Sequence, residues 1–273
     1  CVAWRKHVIT GINMQCQHPP AELPSLRRQK ILLLLERDGK VMAAELSRHF
    51  AVSEDTIRRD LAELDAGGLV QRVHGGALPR PKDSGKDYFT RVGETNEAKL
   101  RLAQYAVQWV QDGQTVLFDS GSTTLHIAQS LPAGISLTAV TASPMIAVAL
   151  AEYPKVRVIL AGGQLNPATL SASGHEALRM IQGIKADLMF TGVCAIHPEI
   201  GISSLHFDEV PIKQAMFDSA SEVIAVTTAD KLGAMEPFVV VPCNRLHRLI
   251  TEQEVITGDI EDYRRQGVEV LQI

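Results

Sequence analysis

The chain has 273 residues, 45% of them hydrophobic and 21% charged, a balance that excludes disordered and fibrous classes and is enough to bury a substantial core. A formal net charge of -4 excludes whole-molecule attraction to nucleic acid. The charge is uneven, however. Residues 25–80 carry 10 Lys and Arg against 8 Asp and Glu, and residues 81–273 carry 15 against 22. A mildly basic module therefore precedes an acidic one, and contact with a polyanion is expected at one end only.

The lead-in 1–24 holds Arg5 and Lys6 but no continuous apolar core, so it reads as disordered rather than as a signal peptide. Cys1, Cys16, Cys194 and Cys243 are scattered, with no CxxC and no histidine at ligand spacing. Free thiols, no metal and no cofactor are expected. No apolar run approaches the roughly 20 residues that span a bilayer. Together these features predict a cytoplasmic protein with no membrane contact.

Helical spacing begins at residues 26–37, with Ile31, Leu34 and Leu35 facing inward and Gly39 near the end. A second, short helix is predicted over 43–50, with Leu46 and Phe50 one turn apart. Residues 51–53 then lead to a third helix, which Ser53 caps and whose dipole Glu54 and Asp55 complement. On that helix Ile57, Leu61 and Leu64 form the buried stripe. At about 100° per residue, Asp55, Arg59, Ala62 and Glu63 point away from it, and Thr56 and Arg58 flank it.

The exposed N-terminal half thus presents Ser53, Thr56, Arg58 and Arg59, where a recognition helix meets bases and phosphates in the major groove. Arginine suits the task because its fork pairs bidentately with guanine or phosphate. Gly67 and Gly68 precede the string LVQRVHGGAL, in which Leu69, Val70 and Val73 pair as strands. Arg72 and His74 fall on the resulting wing. The competing reading is a solvated three-helix bundle with surface arginines. Helix lengths, short turn, cap and hairpin in this order favour DNA binding.

Residues 79–87 are rich in proline, glycine and charge and read as a linker. Beyond about residue 89, seven β-rich runs alternate with helical stretches: 115–119, 135–141, 156–161, 187–192, 223–228, 248–251 and 268–273. Each is nearly continuous in apolar or β-branched residues, which predicts a mainly parallel sheet buried on both faces. The string FDSGSTTLHIA places Asp119 at a strand end and Ser120, Gly121, Ser122, Thr123 and Thr124 in a small-residue loop that opens a helix. Amides and hydroxyls there make an anion site suited to phosphate. An ordinary strand–helix turn would read the same way, and the pattern alone leaves the two level. Gly162 and Gly163, Gly192, and Asp230 with Lys231 also follow strands, where open α/β sheets bind ligands. Lys213 lies near a helix start, and a solvated lysine is an equal reading of it.

The string VSEDTIRRDLAELDAGGLVQRVHGGAL closely resembles the N-terminal signature of the DeoR family, and weaker resemblance runs from about Ser25 to about Thr251. The resemblance implies a bacterial repressor with a winged helix-turn-helix and a C-terminal domain like ribose-5-phosphate isomerase in fold. It implies an effector site on Asp119 to Thr124, Gly162, Gly163, Lys213, and Lys231 with Gly233. The chain departs from the family pattern twice. Thr228 stands where an aspartate is usual, with Asp230 beside Lys231 instead, and Thr141-Ala142-Ser143 stands where T-N-S/A is common.

The expectation is an α/β protein in two domains. A winged helix-turn-helix spans 25–80, a linker 81–92 and a sugar-phosphate sensor 93–273. The expected partners are operator DNA, a phosphorylated sugar or related metabolite, and further copies of the chain. The alternative is a sugar-phosphate isomerase with a DNA-binding domain attached, for which Asp119, Asp208, Glu209, Lys213 and Asp230 offer acid–base groups. No proton-transfer pair is spelled out, and a binding site needs the same groups.

Overall fold

The computed structural model describes residues 23–94, 97–253 and 257–273. Of the lead-in expected over 1–24, all but the last two residues lie outside this range, as do Cys1 and Cys16. Leu23 and Pro24 are not lead-in: they cap and open the first helix, α1 (Pro24–Asp38), because proline loses nothing at a first turn. Gly39, at φ 69°, ends it.

β1 (Val41–Met42), α2 (Ala43–Phe50), α3 (Glu54–Ala66), β2 (Val70–Val73) and β3 (Gly76–Pro79) complete the N-terminal domain. The three strands form an antiparallel sheet in the order β1-β3-β2. Ile31, Leu35, Leu46, Ile57, Leu61, Leu64 and Val70 make its core, and the Ser53 hydroxyl accepts from the Thr56 amide at 3.2 Å as the predicted cap. A Cβ on Gly76 would meet the Val41 carbonyl oxygen at 2.0 Å, so β1 reaches β3 only across a glycine. Arg27 Nε donates to Asp60 Oδ2 at 2.5 Å, a buried pair joining α1 to α3.

The chain then passes through α4 (Tyr88–Gly93), which lies partly in the stretch expected to be linker, and α5 (Glu97–Ala106). Next come β4 (Thr115–Phe118), α6 (Ser122–Gln129), β5 (Leu137–Thr141), α7 (Pro144–Leu150) and β6 (Val156–Leu160). They are followed by β7 (Gln164–Asn166), β8 (Ser171–Ser173), α8 (His175–Gln182), β9 (Ala186–Thr191), β10 (Ala195–His197), β11 (Gly201–Ser204) and α9 (Val210–Ser219). The last elements are β12 (Ala220–Val226), β13 (Phe238–Val241), β14 (Arg248–Thr251), α10 (Thr257–Arg265) and β15 (Glu269–Gln272).

Each of the seven predicted runs supplies a strand of one sheet, in the order β15-β14-β12-β9-β4-β5-β6, with every neighbour pair parallel. Alternate residues feed two cores. Leu117, Met189, Ala225 and Leu249 face one, and Val116, Phe118, Phe190, Ile224 and Ile250 the other. Both faces are therefore apolar, which is why the runs lack polar alternation. The β7–β8 hairpin and the antiparallel β10-β11-β13 sheet were not predicted.

Strand order reverses between β4 and β9. From β4 the chain winds outward through β5 and β6, then returns to β9 on the other side. A crevice opens at the carboxyl ends of such neighbours.

Candidate functional site

On the N-terminal domain, Ser53, Arg58, Arg59, Arg72 and His74 are exposed and Thr56 is half-buried. A cleft lined by Arg58, Arg72, His74 and Gly75 sets the start of α3 beside the wing. The two helix arginines differ. Arg58 is tied to Glu54 at 3.0 Å and Asp55 at 3.1 Å. Arg59 has no ion-pair partner among the described residues. The Ser53 and Thr56 hydroxyls bond each other at 2.9 Å.

The second site lies at the crevice between β4 and β9. Gly121, at φ 145°, turns the chain from β4 into α6, a conformation that a side chain would resist. Gly192, just past β9, brings its backbone so close that a Cβ would meet the Ser120 carbonyl oxygen at 2.1 Å. The buried Ser120, Ser122, Thr123 and Thr124 line a pocket together with Gly192, Val193, Cys194, Lys213 and Lys231. The first amides of α6 lack intrahelical partners, as at every helix start. Hydroxyls and amides thus converge with two ammonium groups, a set suited to an anion.

Asp119 stands behind this loop and does not line the pocket. Its Oδ1 accepts from the Ser120 amide at 2.8 Å. Its Oδ2 accepts from the Gly192 amide at 2.8 Å, Thr191 Oγ1 at 3.3 Å and Lys213 Nζ at 2.5 Å. The carboxylate is therefore a clasp between β4, β9 and α9. Burial disfavours the Lys213 charge, but Asp119 and Glu209 outweigh it and raise the pKa above the ordinary 10.5. Lys231 is the opposite case: burial dominates and its pKa is lowered.

A second lobe, sharing Arg91, Thr169, Cys194 and Lys231 with the first, is walled by Asp83, Ser84, Gly85 and Lys86. Asp83 Oδ2 accepts from Lys99 Nζ at 2.8 Å and lies 3.8 Å from Lys231 Nζ. The lobes measure about 20 and 30 Å³, room for one or two waters each.

Other predicted residues fall elsewhere. Gly162 and Gly163 are outside both lobes; a Cβ on Gly163 would meet the Ser173 carbonyl oxygen at 2.2 Å, so that glycine serves the packing of the β7–β8 hairpin. Asp230 accepts from Thr228 Oγ1 at 2.6 Å and from the Lys82 amide at 3.0 Å, and it lines neither lobe. Conversely, Arg91, Thr169, Val193 and Cys194 line the pocket without having been singled out, and Glu209 lines it although read only as an acid–base candidate. Among the described residues no cluster suits a metal ion, and no helix is long and apolar enough to cross a membrane. Cys194 and Cys243 are free, and burial pushes the Cys243 thiol up to about 12.

Residues 27–80 match the DeoR-like helix-turn-helix domain and residues 94–253 the DeoR C terminal sensor domain. The chain belongs to the DeoR family of transcriptional regulators. This regulator is 32% identical to the HTH-type transcriptional regulator GlpR of Haloferax volcanii, over 91% of its own chain and 98% of the other. It is 30% identical to the glycerol-3-phosphate regulon repressor of Escherichia coli, over 76% and 82% respectively. Among solved structures, ribose 5 phosphate isomerase A from Neisseria gonorrhoeae is similar over 49% of this chain and 52% of its own, at 15% identity and a TM-score of 0.37. No activity follows from so distant a likeness. The well-covered relatives are regulators, so the chain is a DNA-binding regulator and the isomerase reading is set aside.

Proposed function

We propose that the regulator acts in the cytoplasm as a homo-oligomeric repressor of a carbohydrate-metabolism operon. Ser53, Thr56, Arg58, Arg59, Arg72 and His74 contact operator DNA, and a phosphorylated sugar or related metabolite at the β4–β9 crevice releases it. Ser120 to Thr124 cradle the phosphate, with Lys213 and Lys231 supplying charge and Asp119 positioning Lys213 and the loop. The glycerol-3-phosphate regulon repressor, a relative named for a phosphorylated polyol, supports this ligand class.

One observation carries the reading: the chain leaving the DNA-reading domain is built into the pocket wall. The Lys82 amide donates to Asp230 and Ser84 Oγ donates to Glu236 Oε1 at 2.7 Å, while Asp83 pairs with Lys99 beside Lys231. The two lobes are narrow, about 20 and 30 Å³, and residues 83–86 wall one of them. A sugar phosphate entering there displaces that wall, and an anion reaching Lys231 competes with Asp83. Moving the wall shifts the tether of the recognition helix, so ligand and operator weaken each other by one factor.

The test uses the full chain, a duplex it selects from a random pool, and phosphorylated sugars paired with their unphosphorylated parents. The phosphorylated members are expected to raise Tm and release the duplex. Asp83→Asn is expected to tighten ligand binding several-fold and weaken duplex binding. Release by unphosphorylated sugars alone overturns the phosphate reading; unchanged affinities in Asp83→Asn overturn the linker route.

A further inference from the structure

Among the described residues, Glu209 Oε1, Thr169 Oγ1 and Arg91 Nε are buried without a hydrogen-bond partner, and they belong to residues lining the same pocket. Glu209 and Thr169 are only 3% and 5% exposed. Folded chains rarely leave such atoms unpaired. Here the three residues line one cavity, so a molecule bound there is placed to complete them.

Their chemistry narrows what that molecule presents. Glu209 occupies the turn before α9, and its Oε2 accepts from Ser204 Oγ at 3.3 Å. Lys213 is already held by Asp119 and by the Gly192 carbonyl at 3.4 Å, so Glu209 is not needed as its hydrogen-bond partner. An ionised carboxylate only accepts, so Oε1 calls for a donor. An ammonium on the ligand would meet Lys213, Lys231 and Arg91 in the same cavity. A hydroxyl fits without that conflict. Thr169, on the β7–β8 turn, both donates and accepts, as a second hydroxyl contact requires. A ligand carboxylate at this end would face Glu209 and be repelled.

We infer that Glu209 and Thr169 form a hydroxyl-reading end of the pocket, which selects polyhydroxy phosphate esters over phosphorylated acids and bare phosphate. This deepens, and rests on, the phosphate reading proposed above. Arg91 Nε adds a donor for a ligand oxygen between the two lobes.

Calorimetric titration of the full-length protein with glycerol 3-phosphate, fructose 1-phosphate and methyl phosphate tests the inference. Thr169→Val is isosteric and Glu209→Gln nearly so, and their melting curves report whether each variant is folded. Both are expected to weaken the two polyol phosphates about tenfold, the scale of one lost hydrogen bond to a charged or buried group. Methyl phosphate, which has no hydroxyl on carbon, is expected to change by less than about twofold, and Thr169→Ser is expected to restore affinity. Equal losses for all three esters, or no loss for any, overturn the inference. If the parent protein binds fructose but no phosphate ester, and Glu209→Gln abolishes that binding, hydroxyl reading stands and the phosphate reading fails.

Discussion

Arg59 on α3 is exposed and without an ion-pair partner among the described residues, whereas Lys213 on α9 is buried and bonded to Asp119 at 2.5 Å. The contrast extends to the sites they serve. At the DNA-reading end, water solvates the cations until a polyanion arrives, and binding proceeds by exchange of counterions. At the sensor end an unpaired buried cation is too costly, so the protein supplies its own carboxylates, Asp119 for Lys213 and Asp83 for Lys99 and Lys231. On the proposed function, a ligand anion there would exchange with a built-in anion rather than with salt. Exposure makes the first site independent of the rest of the fold; burial ties the second to the linker.

The comparison breaks most visibly at Asp119. Asp119→Ala leaves Lys213 buried with its closest counter-charge gone, and is expected to cost the sensor domain about 3–5 kcal/mol. Denaturant unfolding followed by a probe in each domain would detect this, with the N-terminal transition unmoved. A loss under about 1 kcal/mol would mean that Asp119 is not the clasp described.

The DNA end is expected to respond less in stability and more in binding. Arg59→Ala should weaken duplex binding by about 1–3 kcal/mol and flatten its salt dependence. Arg58→Ala should cost less, because Arg58 must first give up Glu54 and Asp55. Anisotropy titrations at several salt concentrations would show the order, and equal or reversed effects would refute it.

The smallest effect concerns acid. Burial disfavours the Asp83 carboxylate, but Lys99, Lys231 and Lys86 outweigh it and hold its pKa below the ordinary 3.8. A depressed folded value means that linker docking is fully present above the ordinary value and is lost as pH falls through the folded one. Hydrogen exchange at residues 82–86, corrected for intrinsic rates, should therefore be flat between about pH 8 and about pH 5 and rise only in stronger acid. Asp83→Asn should remove that rise.

The α3 cap and stripe, the wing and the seven parallel strands were legible because each is a local signal: a hydroxyl before a helix, a 3.6-residue period, a glycine turn, a doubly apolar run. The Ser120 to Thr124 loop was legible for the same reason. Arg91, Thr169 and Cys194 carry no such signal, since nothing near them in sequence departs from an ordinary loop or helix. Gly163 shows the limit of such signals, because a glycine after a strand looks the same whether it admits a ligand or a neighbouring backbone.

The amino-acid sequence alone determined the three N-terminal helices, the wing, the strands of the parallel sheet and the small-residue loop, because periodicity, capping and turn chemistry act over a few residues. Only the tertiary structure decided the order of the strands, and with it the reversal between β4 and β9 that opens the crevice. It also decided the destination of every buried charge. A carboxylate at residue 83, 119 or 209 is chemically the same in the sequence; which lysine it meets, and whether an oxygen is left for a ligand, depends on contacts between segments far apart in the chain.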